Sequence, residues 1–138
     1  MAHPVAMKFR FAYTGIRVTD LERSLKFYRD GLGLRECGRG KMSHGGVFVE
    51  LSDDNTEQKL ELNWYPPDSA FNVPFQPGDG LDHLAFEVED VDEAFKMLIS
   101  SFGAKPAIEP WTDEPGNERS RIGFVTDPDG NWIELIRG

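Results

Sequence analysis

The stretch EVEDVDEAFKMLISSFGA, Glu87 to Ala104, decides the fold once it is laid over RVTDLERSLKFYRDGLGL, Arg17 to Leu34. The offset is a constant 70 residues, which sets Val18 on Val88, Asp20 on Asp90, Leu25 on Phe95, Lys26 on Lys96 and Gly33 on Gly103. Each copy has the pattern of a strand, an Asp cap, an amphipathic helix and a glycine stop. Asp20 and Asp90 can accept hydrogen bonds from the first free helix amides. Leu21, Leu25 and Tyr28 share one helical face, as do Val91, Phe95 and Leu98. Gly33 and Gly103 suit the left-handed conformation that ends a helix. Two copies at this spacing are too few for a solenoid and predict a pseudo-twofold domain.

Three candidate strands follow each helix: 34–39, 46–52 and 59–65, then 105–109, 121–126 and 131–137. The turn-forming SDDNTE and DPDG separate neighbouring strands in their respective halves. The expected organisation is one 138-residue domain, with a βαβββ module over residues 8–65, a linker over 66–80 and a second βαβββ module over 81–138. The linker assignment rests on PPDSAFNVPFQPGDG, rich in Pro, Gly and Asp.

Composition narrows the partners. The net charge is −9, and such a surface repels phosphate backbones and anionic lipid, so neither nucleic acid nor membrane is expected. No apolar run approaches the roughly 18 residues that span a bilayer. The N-terminal MAHPVAMKFRF lacks a basic segment followed by an apolar one and is taken as a short extension. Cys37 is the only cysteine, which excludes an internal disulfide and a cysteine-built zinc site. It is expected to be packed in its strand. A reducing cytoplasm is the compatible location.

Strand alternation then sorts the side chains by face. From Leu81 onward, Leu84, Phe86 and Val88 form an apolar face, and His83, Ala85 and Glu87 the opposite one. In the first strand Ile16 and Val18 oppose Tyr13, Gly15 and Arg17. In KLELNWY the leucines flank Glu61, and in NWIELIR Ile133 and Leu135 flank Glu134. A carboxylate in mid-strand on a covered face is costly unless it is paired or bound to a metal. Pairing with Arg17, Arg121 or Arg137 is the plain alternative. The duplicated frame thus offers four equivalent positions: Tyr13, Glu61, His83 and Glu134. His44, beside a Gly-Gly turn, and His3, near the terminus, are expected to stand apart from them.

IRVTDLERSLKFYRDGLGL (from Ile16), LDHLAFEVEDVDEA (from Leu81) and GFVTDPDGNWIELI (from Gly123) resemble the vicinal oxygen chelate superfamily. That superfamily includes glyoxalase I, methylmalonyl-CoA epimerase, fosfomycin and bleomycin resistance proteins and extradiol dioxygenases. The resemblance runs from about Phe9 to Ile136 and is closest to glyoxalase I-like proteins. It implies an α+β fold in which two βαβββ modules form a curved eight-stranded mixed sheet around a metal-binding cup. The implied metal positions are Glu61, His83, Glu134 and Tyr13. Tyrosine departs from the His or Gln usual at the first position of glyoxalase I.

One divalent metal, whether zinc, nickel, cobalt, manganese or iron, suits an imidazole with two carboxylates. The implied reaction is that of a glyoxalase-like metal-dependent lyase or isomerase. It acts on a small molecule with vicinal oxygens through a metal-stabilised enediolate, with Glu134, then Glu61, as the candidate base. Arg17, Asn63, Trp64 and Trp111 are the candidate substrate contacts. Arg17 matches a glutathione-contacting arginine of glyoxalase I, whereas Asp79 stands where a second such arginine would be and would repel a carboxylate. A homodimer is expected by the same resemblance. The alternative is a metal-free, bleomycin-resistance-like binding protein that sequesters its ligand. A ring-cleaving dioxygenase ranks lower, because its iron site uses two histidines and one carboxylate and only His83 matches, and so does a CoA-ester epimerase, whose usual ligands do not match Tyr13 and Glu61.

Overall fold

The computed structural model describes residues 12–43, 45–79 and 81–138. His3, His44 and the N-terminal extension lie outside the described residues. The first half holds β1 (Thr14–Arg17), α1 (Leu21–Leu25, continued by a π-helical turn over Lys26–Gly31), β2 (Arg35–Lys41), β3 (Val47–Ser52) and β4 (Lys59–Trp64). The second holds β5 (Leu84–Val88), α2 (Val91–Ser101), β6 (Lys105–Thr112), β7 (Arg121–Thr126) and β8 (Trp132–Arg137), with a 3-10 turn over Glu118–Ser120. β2 and β6 run past their expected ends at Arg39 and Glu109.

The class is α+β, and the eight strands hydrogen-bond as two four-stranded sheets. Their orders, β1-β4-β3-β2 and β5-β8-β7-β6, repeat one topology. β1 is parallel to β4 and β5 to β8, while the remaining neighbours are antiparallel. β1 and β5 are therefore the edge strands through which each half begins.

The caps and stops follow the sequence chemistry. Asp20 accepts from the Arg23 amide at 3.1 Å, and Asp90 from that of Glu93 at 3.0 Å. Gly33 and Gly103 have φ of 75° and 79°, a conformation that costs glycine little. The first helix departs from the expected uniform α-helix. Its Leu32 amide bonds to the Phe27 carbonyl at 2.9 Å, a five-residue step. The widened turn buries Phe27 and Tyr28 side by side, each with 0% exposure, where a 3.6-residue period would turn one of them away.

The core combines Leu25, Phe27, Tyr28, Val49, Leu51 and Leu62 of the first half with Val91, Leu98, Val125, Ile133 and Leu135 of the second. Full burial of each large side chain contributes about 1.5–3 kcal/mol. The leucines and isoleucines that flank the mid-strand glutamates all point into it, as alternation requires.

A buried polar lock joins the halves. Asp127 is 1% exposed and accepts from the Tyr28 hydroxyl at 2.8 Å, the Asn131 amide at 2.7 Å, the Asn131 side chain at 3.0 Å and the Asp129 amide at 3.0 Å. Asp129 in turn accepts from the Thr19 hydroxyl and pairs with Arg23 at 2.9 Å. The DPDG turn of the second half is thus tied to the start of α1. Cys37 corrects its expectation. It sits at the bulge between Glu36 and Gly38, in the exposed row of β2 with Arg35 and Arg39.

Candidate functional site

Parallel pairing sets the site. Gly15 pairs with Glu61 and Ala85 with Glu134, so Tyr13 and His83 each stand two residues before the partner of a glutamate. The small side chains of Gly15 and Ala85 leave the space between. A Cβ on Gly15 would lie 3.1 Å from Asn63 Nδ2 and 3.8 Å from the Tyr13 ring.

In the second half the two candidates meet. His83 Nε2 lies 3.4 Å from Glu134 Oε2, and His83 Nδ1 lies 2.7 Å from Asp82 Oδ1. With Nδ1–H donated to Asp82, Nε2 presents a lone pair to the Glu134 carboxylate. Two acceptors at that separation repel unless a proton or a cation lies between them. Two ligands each about 2.1 Å from a tetrahedral ion are themselves roughly 3.4 Å apart. A histidine nitrogen and a carboxylate oxygen at this spacing could supply two ligands to one ion, and Asp82 bonds the far side of the ring.

In the first half Glu61 is 8% exposed and lies across β3–β4 from Glu50. Burial, then the negative charge of Glu50, pushes its pKa above the usual carboxylate value, against a hydrogen bond from Asn63. Tyr13 is 46% exposed at the edge of this sheet. Among the described residues no three His, Cys, Asp or Glu side chains form a metal-holding group. Within one chain the pair His83–Glu134 is formed, and Glu61 stands in the other half.

The remaining candidates separate by face. Asn63 shares the face of Glu61 and reaches the Ile16 carbonyl at 3.5 Å. Trp64 lies with Leu60 and Leu62 on the core side, away from the glutamate, because alternation places it there. Arg17 donates to the Val73 carbonyl and lies 5.3 Å over the Phe75 ring, so the segment after β4 holds its guanidinium. A cleft of about 510 Å³ between β1 and that segment is lined by Gly15, Arg17, Phe75 and Asp79. A larger cleft, about 1030 Å³, borders His83, Ala85 and Glu87 on the free side of β5 and Lys59 and Leu60 of β4. Arg121 pairs with Asp92 at 2.8 Å.

Trp111 belongs to a group of rings. It stacks on Phe124 at 6.3 Å and 18°, Phe124 meets Trp132 at 5.5 Å and 55°, and the His83 ring stands edge-on to Phe124 at 5.8 Å. Phe124 is the direct cross-strand partner of Glu134. Glu50, Asp82, Phe124 and Trp132 were not picked out by sequence reasoning. Strand parity with Glu134 carried the signal for Trp132, whereas Glu50 and Phe124 meet their glutamates through cross-strand register, which the sequence does not show. Asp82 was visible only as the acidic neighbour of His83.

Two repeated βαβββ units, with a histidine just before the leading strand of the second and a glutamate on its closing strand, define a paired-module fold with a candidate centre at the β5–β8 edge. The chain belongs to the Glyoxalase/Bleomycin resistance protein/Dioxygenase superfamily, whose family model matches residues 10–135. It is 33% identical over 130 residues to a probable lactoylglutathione lyase of Synechocystis sp., covering 91% of this chain and 92% of that one. It is 32% identical over 133 residues to a lactoylglutathione lyase of Neisseria meningitidis, covering 93% and 90%. The trypanothione-dependent glyoxalase I of Leishmania major is similar in structure, with a TM-score of 0.69 and 28% identity, over 94% of this chain and 87% of that one. The resemblance that the motifs carried is therefore borne out.

Proposed function

We propose that this protein is a metal-dependent, glyoxalase I-like lyase or isomerase acting on a small substrate with adjacent oxygens. The observation that carries this reading is the approach of His83 Nε2 to Glu134 Oε2 at 3.4 Å, with Asp82 behind the ring. The similarity to lactoylglutathione lyases supports the reaction type. His83, Glu134 and Glu61 would hold the ion, and Tyr13 fills the fourth place with a hydroxyl able to donate a hydrogen bond. Because the first two residues and Glu61 belong to different halves, the proposed working form is a homodimer. In it, the His83–Glu134 pair of one copy faces the first half of the other.

When bound, the divalent ion supplies Lewis-acid stabilisation of charge on the substrate oxygens. Asp82 fixes the His83 tautomer and ring plane. Glu134, or in its place Glu61, takes a proton from one substrate carbon and returns it to the next. Asn63 braces Glu61 from the neighbouring row.

Metal analysis of the purified protein by mass spectrometry, with and without reloading, tests the reading. Stoichiometric divalent metal is expected, and His83→Ala should retain less than about a tenth of it while keeping its circular dichroism spectrum. Metal retained in that variant would sink the assignment of His83. Turnover of the methylglyoxal–glutathione hemithioacetal should require the metal and fall by about 10²-fold or more in Glu134→Gln.

A further inference from the structure

The frame repeats at an offset of 70 residues, but its cover does not. Ile16 and Val18 are 6% and 2% exposed, whereas their counterparts Phe86 and Val88 on β5 are only half-buried. Phe27 is fully buried, whereas its counterpart Met97 on α2 is 43% exposed. Leu84, Phe86, Val88, Ala94 and Met97 all line the cleft of about 1030 Å³ on the free side of β5. β5 is an edge strand paired with β8, so the other side of its backbone looks into this cleft without a strand partner among the described residues. An apolar face beside an open edge is a docking place for an extended segment with alternating apolar residues.

We propose that the occupant is the chain's own N-terminal segment, residues 1–11, laid along the free edge of β5. Three features of the segment match the cleft. The first is pattern. Val5, Met7, Phe9 and Phe11 alternate with Ala6, Lys8 and Arg10, the period of a strand with one apolar face. The second is where the segment ends. The described chain begins at residue 12, and Thr14 just beyond it lines the same cleft. The segment reaches at most about 36 Å and the five residues of β5 span about 17 Å, so it can turn back and cover the strand. The third is charge. The segment carries Lys8 and Arg10 and no acid, while β5 carries Glu87, with Asp82 before it and Glu89 after it, all exposed. With Met7 and Phe9 turned toward Phe86 and Met97, Lys8 and Arg10 stand on the side of Glu87, because neighbouring strands share their faces. The segment then gives the second half the cover that Phe27 gives the first, and it closes an edge open to pairing with other chains. This docking is independent of any metal at His83.

Hydrogen exchange read by mass spectrometry on the full chain tests it. In the wild type, the amides of residues 5–10 should exchange at least about tenfold more slowly than in a free peptide of the same sequence. Phe9→Asp and Met97→Asp change the contact from its two sides. Each should speed exchange in residues 5–10 and in Leu84–Val88 by about tenfold, while β7 stays protected and shows that the fold is intact. Carbodiimide coupling, which joins a lysine to a carboxylate in contact with it, should link Lys8 to Glu87, Asp82 or Glu89. With isotope-labelled and unlabelled chains refolded together, those links should stay within one label. Free-peptide exchange of residues 5–10 in the wild type would overturn the proposal, as would a Phe9→Asp variant whose Leu84–Val88 amides exchange as in the wild type. Links that join the two labels would assign the cleft to a second copy of the chain and overturn it as well.

Discussion

The two halves share a frame and differ in what the frame carries. By the 70-residue offset Phe27 corresponds to Met97, yet Phe27 is fully buried and Met97 is 43% exposed. The π-helical turn in the first helix accounts for it, since α2 runs its eleven residues as a regular α-helix. By sheet position Glu50 of the first half corresponds to Phe124 of the second, and Tyr13 to His83. The duplicated scaffold therefore repeats caps, stops and core leucines, where local chemistry and packing leave little choice. It diverges at the inner-facing positions, where a side chain meets whatever the cup contains. One half became acidic and glycine-lined, and the other aromatic with a histidine.

Three sets of substitutions break or sharpen that contrast. The lock between the halves should give the largest effect. Asp127→Ala leaves the Tyr28 hydroxyl, the Asn131 side chain and two amides without their acceptor. It is expected to cost about 4 kcal/mol in chemical denaturation, a large share of a typical stability of about 5–15 kcal/mol. Tyr28→Phe should cost only about 1–2 kcal/mol, as it removes one donor and leaves the other three in place. Equal losses from the two variants would contradict a carboxylate that serves four donors.

Next comes the helix pair. Phe27→Ala should cost about 3–4 kcal/mol through the cavity it opens, whereas Met97→Ala should stay within about 0.5 kcal/mol. Similar effects at both sites would mean that the two helices are packed alike. The same denaturation curves decide it.

The smallest effect lies on the inner face. Glu61 has a raised pKa in the folded protein, by burial first and Glu50 second, so the folded state binds more protons than the unfolded one just above the unfolded value. That contribution is favourable at acid pH and is lost as pH rises through the window up to the raised pKa. Glu50→Gln weakens the upward push while burial remains. In metal-free protein the variant should therefore be more stable than wild type near neutral pH, by on the order of 0.5 kcal/mol. The advantage should shrink as pH falls through that window. Melting temperatures across the pH range check the sign, and a variant that is less stable at neutral pH would refute it.

Much of this molecule is written locally. Asp20, Asp90, Gly33 and Gly103 mark both helices because a capping carboxylate and a left-handed glycine act on residues within a turn. Alternation in KLELNWY and NWIELIR put Glu61 and Glu134 opposite the leucines, because side chains on a strand have a period of two. The same rule puts Trp64 on the core side with Leu60 and Leu62. The π-helical turn was not legible, since it depends on how Phe27 and Tyr28 pack against the rest of the core. The exposure of Cys37 was hidden for a similar reason, as which row of β2 faces outward depends on packing between strands rather than on the strand alone.

The sequence by itself determined the doubled βαβββ plan, the faces of the strands and the family to which they point. Only the tertiary structure decided that His83 meets Glu134, that Glu50 stands across from Glu61 and that Asp127 gathers Tyr28 from 99 residues away. Periodicity and capping act over a few bonds and leave their mark in the residue order. Contacts across strands and between halves depend on register and on the path of the whole chain, which no short stretch contains.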